Sequence, residues 1–420
     1  MIYLDYNATS PLMPAVKAAM DALGDGPMNP ASIHGAGRAA KKHLEDSRAT
    51  IAQAVGAFAN ELLFTSSGSE ANNMVLRAFA GERPLLVSAV EHASVAKTAA
   101  LLGGAVIPVD SNGVVKLDVL EQMLAALGKP ALVSVMLANN ESGVIQPIAD
   151  IARITHAHGG LVHCDAVQAL GKIPLDLGLL GVDMLTLCAH KAGGPVGAGA
   201  LLIRNDLPIK PFIVGGKQEL GRRAGTENVP AIVGFAELVR QVAHCPDASQ
   251  WLAWREWLEK ELTAAAPDAI ICGAGGATWH PNSPLEGESN SLSNLVGGHT
   301  AKVSPHGFAE GANPAPPQGG SSEHVAPARL PNTLQITMPN VTSETQLMNF
   351  DIGGIAVSAG SACSSGRVAA SSVLLAMGMD AQTAGSATRI SWGWGTTQAD
   401  IEAFAAAWKA MHLRIARKAA

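Results

Sequence analysis

Apolar and polar positions follow two alternating patterns through the first 250 residues. Short continuous apolar runs predict buried β-strands at 62–64, 85–88, 105–109, 131–136, 161–164, 184–187 and 200–203. Between these runs, apolar residues recur with helical spacing at 38–55, 71–79, 94–102, 117–127 and 148–157. Continuous apolar strands separated by helices are typical of a largely parallel sheet covered by helices on both faces. The pattern therefore predicts an α/β fold with a large domain over 13–250.

Residues 230–420 show a different mixture of helix and strand patterns. Helical patterns at 230–243 and 249–265 lead to strand candidates at 269–272, 333–337, 355–357 and 387–391, and to helix candidates at 344–350, 373–377 and 398–416. This mixture predicts a smaller α+β domain over 251–420. Elements of both kinds in a shorter segment pack as a separate layer.

The stretch from about 273 to 330 has neither period. Pro, Gly, Ser, Asn and His dominate it, and it holds too few apolar residues to offset the entropy of ordering. We expect an insertion that forms a mobile surface loop. Its histidines have a spacing that matches no compact metal site, so we expect no metal there: His280, His299, His306 and His324.

Composition narrows the class of protein. Hydrophobic residues make up 48% of 420, enough for two packed domains, yet no apolar run approaches the length of a membrane span. The N-terminus lacks a basic region followed by an apolar region, so we expect no signal peptide. A net charge of −6 gives no general attraction to nucleic acid. The five cysteines are scattered without a CxxC, which argues against a zinc site or disulfide framework and favours the cytoplasm.

Two chemical groups lie where apolar runs end. Lys191 follows the run 184–187 in a glycine-rich turn, where a Schiff-base lysine of a pyridoxal 5′-phosphate (PLP) enzyme belongs, although the turn alone fits a surface lysine better. Asp165 ends the run 161–164, and Gln168 lies just beyond it. A buried carboxylate there could keep the PLP ring nitrogen protonated. By itself, Asp165 also fits an ordinary helix-capping aspartate.

A third segment fits phosphate binding. The run 62–64 leads through Ser66, Ser67 and Gly68 into a helical pattern. A helix N-terminus rich in Ser and Gly offers free N–H groups to a phosphate, although Glu70 also fits an ordinary capping arrangement. In parallel sheets, ligands gather at the carboxyl ends of strands, and all three segments fall there.

Phosphate turn, aspartate and lysine occur in the order that resembles the fold-type I PLP enzymes. Finer motifs resemble the class V aminotransferases and, within them, the NifS/IscS-like cysteine desulfurases. The likeness runs through nearly the whole chain outside 273–330, and the ordered set is far more specific than any one motif. These motifs lie at 3–9, 29–34, 91–92, 139–143, 223–228, 357–365 and 389–391.

The resemblance implies a fold-type I PLP-dependent transferase whose residues 1–12 belong with the small domain. In such a protein Lys191 binds PLP covalently and moves the substrate α-proton, and Asp165 pairs with the ring nitrogen. Gln168 bonds the ring hydroxyl oxygen, and His92 stacks on the ring. The resemblance further implies a homodimer, in which the phosphate is held by Gly68, Ser69, His190 and, from the other subunit, Thr226.

One position departs from the family. Cys188 stands where the family usually has serine, and because a thiol is a poorer phosphate donor we expect weaker PLP retention. The resemblance assigns the substrate carboxylate to the fork of Arg389, and it assigns Asn140 to the same carboxylate or to the ring substituent. Without the family match, Arg389 would be interpreted as a partly paired arginine at a strand edge.

Cys363 decides the reaction. It lies within 358–367, a run composed mostly of Ser, Ala and Gly. The resemblance makes it the nucleophile of a cysteine desulfurase, which converts L-cysteine to L-alanine and passes a Cys363 persulfide to an acceptor, such as a scaffold for iron–sulfur assembly. A buried, inert cysteine is the alternative for the residue. For the protein, the alternatives are another class V enzyme (a small-substrate aminotransferase or selenocysteine lyase) and a PLP-fold protein that binds or regulates a sulfur carrier.

Overall fold

A computed structural model describes residues 1–204, 207–245, 247–274, 328–360 and 370–419, with side chains as far as Arg414. Its strands are β1 Ile2–Tyr3, β2 Leu62–Thr65, β3 Leu85–Ser88, β4 Ala105–Ile107, β5 Leu132–Met136, β6 Leu161–Asp165, β7 Met184–Cys188, β8 Gly199–Ile203, β9 Thr333–Thr337, β10 Ile355–Ala356 and β11 Ala387–Ser391. Its helices are α1 Pro14–Asp21, α2 Gly35–Ala54, α3 Gly68–Phe79, α4 Ala93–Leu101, α5 Leu117–Leu127, α6 Ile148–Ala157, α7 Leu177–Leu180, α8 Val229–Val242, α9 Ala248–Ala265, α10 Ser343–Ile352, α11 Ser372–Ala376, α12 Ala381–Ala384 and α13 Gln398–Ala419.

The large sheet has seven strands in the order β2-β8-β7-β6-β5-β3-β4. The pairs from β7 through β4 are parallel, which confirms the predicted mainly parallel α/β sheet. Strand β8 is the exception, since it runs antiparallel to both β2 and β7. It follows β7 after a short loop without the crossover helix that a parallel connection requires.

Both faces of this sheet are buried. Along β2, Leu62 and Phe64 belong to one hydrophobic cluster, which includes residues of α2, α5, α6 and α8. Leu63 points the other way into a cluster with α3 and α4. Alternate residues of a strand point to opposite faces, so the continuous apolar runs in the sequence record burial on both sides.

A second core surrounds two small sheets. Strand β9 pairs antiparallel with β11, and β1 pairs parallel with β10. Leu4, Phe404 and Trp408 are fully buried in the hydrophobic cluster between these strands and helices α9, α10 and α13. The N-terminus thus packs with the C-terminal elements, as the resemblance implied. The division into 1–12 with 251–420 and 13–250 stays a prediction.

Several expected bounds differ from the observed ones. The predicted strand at 269–272 forms only an isolated bridge, between Ile271 and Ile336. Helices α7 and α12 and strand β1 span too few residues to show a period in the sequence. At the end of the expected insertion, Leu330 is fully buried, so the last residues of that stretch belong to the core. The four histidines of the stretch lie outside the described residues.

Within the described ranges, the helices are all too short or too polar to cross a membrane. The same ranges contain no group of three or more His, Cys, Asp or Glu side chains placed to hold a metal ion.

Candidate active site

Three segments converge at the carboxyl edge of the large sheet. Asp165 ends β6 and pairs with Thr186 of β7, which continues to Lys191. Gly68, the first residue of α3, lies against both strand ends, since an ideal Cβ on it would come 2.7 Å from Val167 Cγ2 and 3.5 Å from Thr186 Cγ2. The structure therefore places the expected phosphate turn, carboxylate and lysine segments together.

Asp165 is a buried carboxylate. Its Oδ1 accepts a hydrogen bond from Val167 N (3.0 Å), and its Oδ2 accepts one from Asn72 Nδ2 (2.6 Å). Burial raises the pKa of Asp165, whereas these hydrogen bonds and the nearby His92 and Lys191 act to lower it. The group is therefore held in a fixed orientation beside His92 and Lys191.

The Lys191 amine is held by backbone oxygens. Its Nζ donates to Asn7 O (2.9 Å) and to Ala8 O (2.7 Å). Burial lowers the pKa of Lys191, and Arg389 lowers it further, while Cys188 and Asp165 act against them. A lysine with a lowered pKa is more often neutral, which is the form that attacks a carbonyl.

Two histidines flank this amine. Burial lowers the pKa of His190 to about 4, with a smaller contribution from Lys191, and its Nδ1 lies 3.4 Å from Thr9 Oγ1. His92 caps α4 by accepting from Ser94 N at Nδ1 (3.2 Å). The protein around the His92 ring displaces water and lowers its pKa, an effect that the carboxylate of Asp165 opposes. Both rings are therefore predominantly neutral at physiological pH.

Glu91 fixes the segment that carries His92. Its Oε1 accepts from Ser88 Oγ (2.5 Å) and from Met136 N (2.8 Å), and burial raises the pKa of Glu91 to about 8. Since Met136 ends β5, the carboxyl ties the turn after β3 to the neighbouring strand end. The Glu91-His92 pair was part of the family resemblance, but the resemblance assigned a role only to His92.

The phosphate turn is open at the start of α3. Ser67 caps the helix by accepting from Glu70 N (3.2 Å), and Arg223 Nε pairs with Glu70 Oε1 (2.8 Å). Ser69 is exposed in the first helical turn, and Thr226 is exposed shortly before α8. In this chain the two residues lie on separate elements, and the action of Thr226 across a dimer stays a prediction.

Cys188 lies beneath this turn. It is buried at the end of β7, and an ideal Cβ on Gly68 would be 3.9 Å from its Cβ. Burial raises the pKa of the Cys188 thiol to about 12, with Lys191 opposing. The thiol therefore stays protonated, which makes it an unreactive group at neutral pH.

Arg389 has fewer free donors than the sequence suggested. It is 3% exposed on β11, where Nη1 donates to Asn140 O (3.0 Å) and Nη2 to Asp5 Oδ1 (2.5 Å). Its Nε has no partner among the described residues. Asn140 supports the arginine through its backbone carbonyl. Arg389 is thus a partly paired arginine, and its role toward a substrate carboxylate stays a prediction, as do the roles of Asn140 and of Cys363, which lies outside the described residues.

Gln168 is part of a hydrogen-bond network that the sequence did not reveal. Its Nε2 donates to Asn7 O (3.0 Å), and its Oε1 accepts from Lys172 Nζ (2.5 Å). Lys172 Nζ also donates to Asn7 Oδ1 (2.7 Å). Asn7 occurs in the opening motif and Lys172 lies four residues after Gln168, so position along the motifs was the available signal.

Comparisons with known proteins identify the family of the chain. The aminotransferase class V family model matches residues 2–264. A cysteine desulfurase of Cereibacter sphaeroides is 36% identical, over 96% of this chain and 93% of its own length. The solved structure of a NifS-like protein from Rickettsia africae covers 98% of this chain and 99% of its own, with 35% identity and a TM-score of 0.79. The protein SspA, solved in complex with cysteine, has 25% identity and a TM-score of 0.70, over 94% of this chain and 100% of its own.

The fold and the matched family model together define a class of PLP-dependent transferase, and the chain belongs to the class V aminotransferase family. Its full-length relatives place it in the cysteine desulfurase group of that family.

Proposed function

We propose that this cysteine desulfurase uses PLP to convert L-cysteine to L-alanine and collects the sulfur as a persulfide on Cys363. The observation that carries the proposal is that a buried Asp165 ends β6 beside β7, the strand that leads to Lys191, so that both groups lie at one edge of the sheet. The cysteine complex of SspA and the desulfurase relatives support cysteine as the substrate.

The residues present fit PLP. The start of α3 at Gly68 offers N–H groups to a phosphate, and a side chain at this glycine would overlap Val167. Ser69, His190 and a partner subunit's Thr226 complete the proposed phosphate site. Asp165 supplies the carboxylate for a protonated ring nitrogen, and Lys191 supplies the amine. Gln168 and His92 are assigned to the ring oxygen and the ring face.

When bound, PLP supplies an electron sink for negative charge at the substrate α-carbon. Lys191 Nζ takes the proton from that carbon and returns one later in the cycle. Asp165 holds the proton on the ring nitrogen. Asn140 and Arg389 orient the substrate carboxylate. In Arg389 each terminal nitrogen makes one hydrogen bond and keeps a second N–H for this carboxylate.

The sulfur transfer balances without an oxidant. The Cys363 thiolate attacks the substrate sulfur, so an S–S bond forms as the bond from Cβ to sulfur breaks. The electron pair of that broken bond, with a proton, completes the methyl group of alanine. L-cysteine and the Cys363 thiol thus give L-alanine and a Cys363 persulfide, whose outer sulfur passes to a thiol of an acceptor, which we propose to be a scaffold for iron–sulfur assembly.

A homodimer is part of the proposal. Phe212, Val214 and Leu220 expose large apolar side chains on the segment that precedes Thr226. Exposed apolar patches of this kind mark association surfaces. We place the enzyme in the cytoplasm, which suits the free cysteines of the described chain. Light scattering on the purified protein tests the dimer.

The test of the function is product release from L-cysteine with Cys363 removed. Wild type should release alanine and, under a reductant, sulfide in equal amounts. Cys363→Ser should bind PLP and L-cysteine as wild type does, since neither step uses the thiol, but should lose nearly all alanine release. Cys245→Ser is the matched control, because Cys245 is a buried thiol in the loop before α9.

Mass spectrometry after one turnover should find the added sulfur on the peptide that contains Cys363. Release of alanine by Cys363→Ser at the wild-type rate, or sulfur on Cys188 instead, would refute the proposed mechanism. Turnover of an amino acid with a keto acid that is unaffected by Cys363→Ser would favour an aminotransferase.

A further inference from the structure

Lys172 is a buried lysine that the mechanism above does not use. It lies in the turn after β6 and is 3% exposed. No ion pair to it is found in the described ranges, so its burial has no carboxylate to offset it. Burial lowers the pKa of Lys172 well below the usual value, and the nearby Lys191 lowers it further. A lysine buried at such a cost calls for a function other than charge pairing.

Both hydrogen bonds of the Lys172 amine go to side-chain amide oxygens. These are Gln168 Oε1 at 2.5 Å and Asn7 Oδ1 at 2.7 Å. A neutral amine has two N–H donors, so either charge state of Lys172 can make both bonds. With its oxygen turned toward Lys172, each amide must turn its NH₂ group the other way. Lys172 therefore sets the orientation of both amides.

The NH₂ groups then reach two different parts of the site. Gln168 Nε2 donates to Asn7 O (3.0 Å), the same carbonyl that accepts from Lys191 Nζ (2.9 Å). Asn7 Nδ2 donates to Asn140 O (3.2 Å) and to Thr333 Oγ1 (2.9 Å). Asn7 is 1% exposed. This one buried residue therefore contacts Lys172, Gln168 and Asn140, and the Asn140 carbonyl in turn accepts from Arg389.

We propose that Lys172 is a positioning residue, which holds Gln168 so that its NH₂ group faces the cofactor ring oxygen, and holds Asn7, whose backbone carbonyl accepts from the Lys191 amine when that amine is free. The inference rests on the proposed function, because it needs PLP at Lys191. It assigns Lys172 no contact with substrate or cofactor.

The test replaces Lys172 with methionine, which keeps the length of the side chain without its donors. The Lys172→Met holoenzyme should shift its visible absorbance maximum before any cysteine is added, because the ring oxygen loses a fixed donor. Its kcat should fall about tenfold to a hundredfold, while the KM for cysteine stays within about threefold, since misplacement of reacting groups affects chemistry more than binding. Lys129→Met, at an exposed lysine in the loop before β5, is the matched control and should leave both unchanged.

A double-variant cycle separates positioning from general damage. In a Gln168→Ala background, Lys172→Met should change the absorbance and kcat much less than it does in wild type, since contacting residues are non-additive. If Lys172→Met does not fold, Lys172→Leu, which also has no donor, serves in its place.

An unchanged holoenzyme spectrum with normal kcat in Lys172→Met, or full additivity with Gln168→Ala, would overturn the inference. A fall in melting temperature with a wild-type spectrum would do the same, because it shows a role in stability alone. Failure of the proposed function is distinct, since it appears as absent alanine release in the wild-type enzyme.

Discussion

Two edges of the site are built in different ways. The cofactor edge, comprising Asp165 and Lys191, lies directly at the ends of β6 and β7 in the buried sheet. The thiol edge, comprising Glu141, Gly360 and Ser371, is named for Cys363, because Gly360 and Ser371 lie on either side of that residue in the sequence. Backbone hydrogen bonds between strands position the first edge. A single side chain joins the two sides of the second.

That side chain is Glu141. Its Oε2 accepts from Ser371 Oγ (2.5 Å), and a Cβ on Gly360 would overlap the same oxygen. One carboxyl thus contacts Gly360 and Ser371, which lie on either side of Cys363 in the sequence. The neighbouring Asn140 carbonyl accepts from Arg389, so adjacent residues support the substrate side and the thiol side.

The two edges should therefore respond differently to the substitution of a single side chain. At the cofactor edge, a substitution removes a chemical group but leaves the strands that place it. At the thiol edge, a substitution of Glu141 leaves every reacting group present but removes the contacts with Gly360 and Ser371, which lie on either side of Cys363 in the sequence. We therefore expect separate losses, of chemistry in the first case and of sulfur transfer in the second.

The largest expected effect is at the cofactor edge. Lys191→Ala should lose at least about 10³-fold in alanine release, because the proposed covalent attachment and proton transfer both use its amine. The strand ends should stay in place, so the variant should keep a wild-type melting temperature within a few degrees. Borohydride reduction followed by peptide mapping measures the attachment. A reducible PLP adduct that persists elsewhere on the Lys191→Ala chain would show that the lysine is misassigned.

An intermediate effect is expected at the thiol edge. Burial raises the pKa of Glu141, while the hydrogen bond from Ser371 and the nearby Arg389 act to lower it. Glutamine keeps the size of this side chain and an oxygen that can accept from Ser371 Oγ. Glu141→Ala should slow persulfide formation about tenfold or more, whereas Glu141→Gln should stay within about threefold, because small displacements of reacting groups are costly. Glu121→Ala, at an exposed position of α5, is the control. Rapid-quench trapping of the Cys363 persulfide measures the rate, and the spectral change on adding cysteine checks that binding is intact.

The raised pKa of Glu141 also determines how this residue's contribution to folding stability changes with pH. A carboxyl whose pKa is raised by folding gives its full stabilisation below the unfolded value of about 4.5, and loses it as pH rises through the folded value. Glu141→Gln should therefore flatten the fall in stability above about pH 4.5. A Glu141→Ala variant that forms persulfide at the wild-type rate would show that the Glu141 contacts do not position the thiol edge.

The two edges also differ in how far the sequence could predict them. Strands β3, β9 and β11 and helices α5 and α6 have the expected bounds, because local apolar patterns determine them. The cofactor edge was predicted because each of its groups ends such a pattern. Glu141 and Ser371 are 230 positions apart, and Lys172 and Asn7 are 165 apart. No local pattern encodes hydrogen bonds between side chains at such separations, so these contacts required the folded chain.

The antiparallel direction of β8 and the pairing of Arg389 with Asp5 escaped prediction for a related reason. The run at 200–203 has the composition of a parallel strand, since burial on both faces determines composition and direction does not. The length of the loop after Lys191 was the available signal. For Arg389, the family resemblance suggested a free fork, whereas the fold brings Asp5 to it from 384 positions away.

The smallest expected effect tests the cofactor edge at Cys188, the position that departs from the family. Because burial keeps its thiol protonated and a thiol is a weak donor, Cys188→Ser should place a stronger donor beneath the phosphate turn. We expect PLP to dissociate about two- to tenfold more slowly, the range of one added hydrogen bond. The Cys245→Ser control removes another buried thiol whose pKa burial raises to about 12, and should leave PLP dissociation unchanged. Release of PLP to an excess of trapping apoenzyme measures both rates. Equal or faster dissociation from Cys188→Ser would show that the backbone of the turn, rather than this side chain, holds the phosphate. The cofactor edge would then depend on the position of its backbone alone at this point, and the contrast with the thiol edge, which depends on the Glu141 side chain, would be sharper.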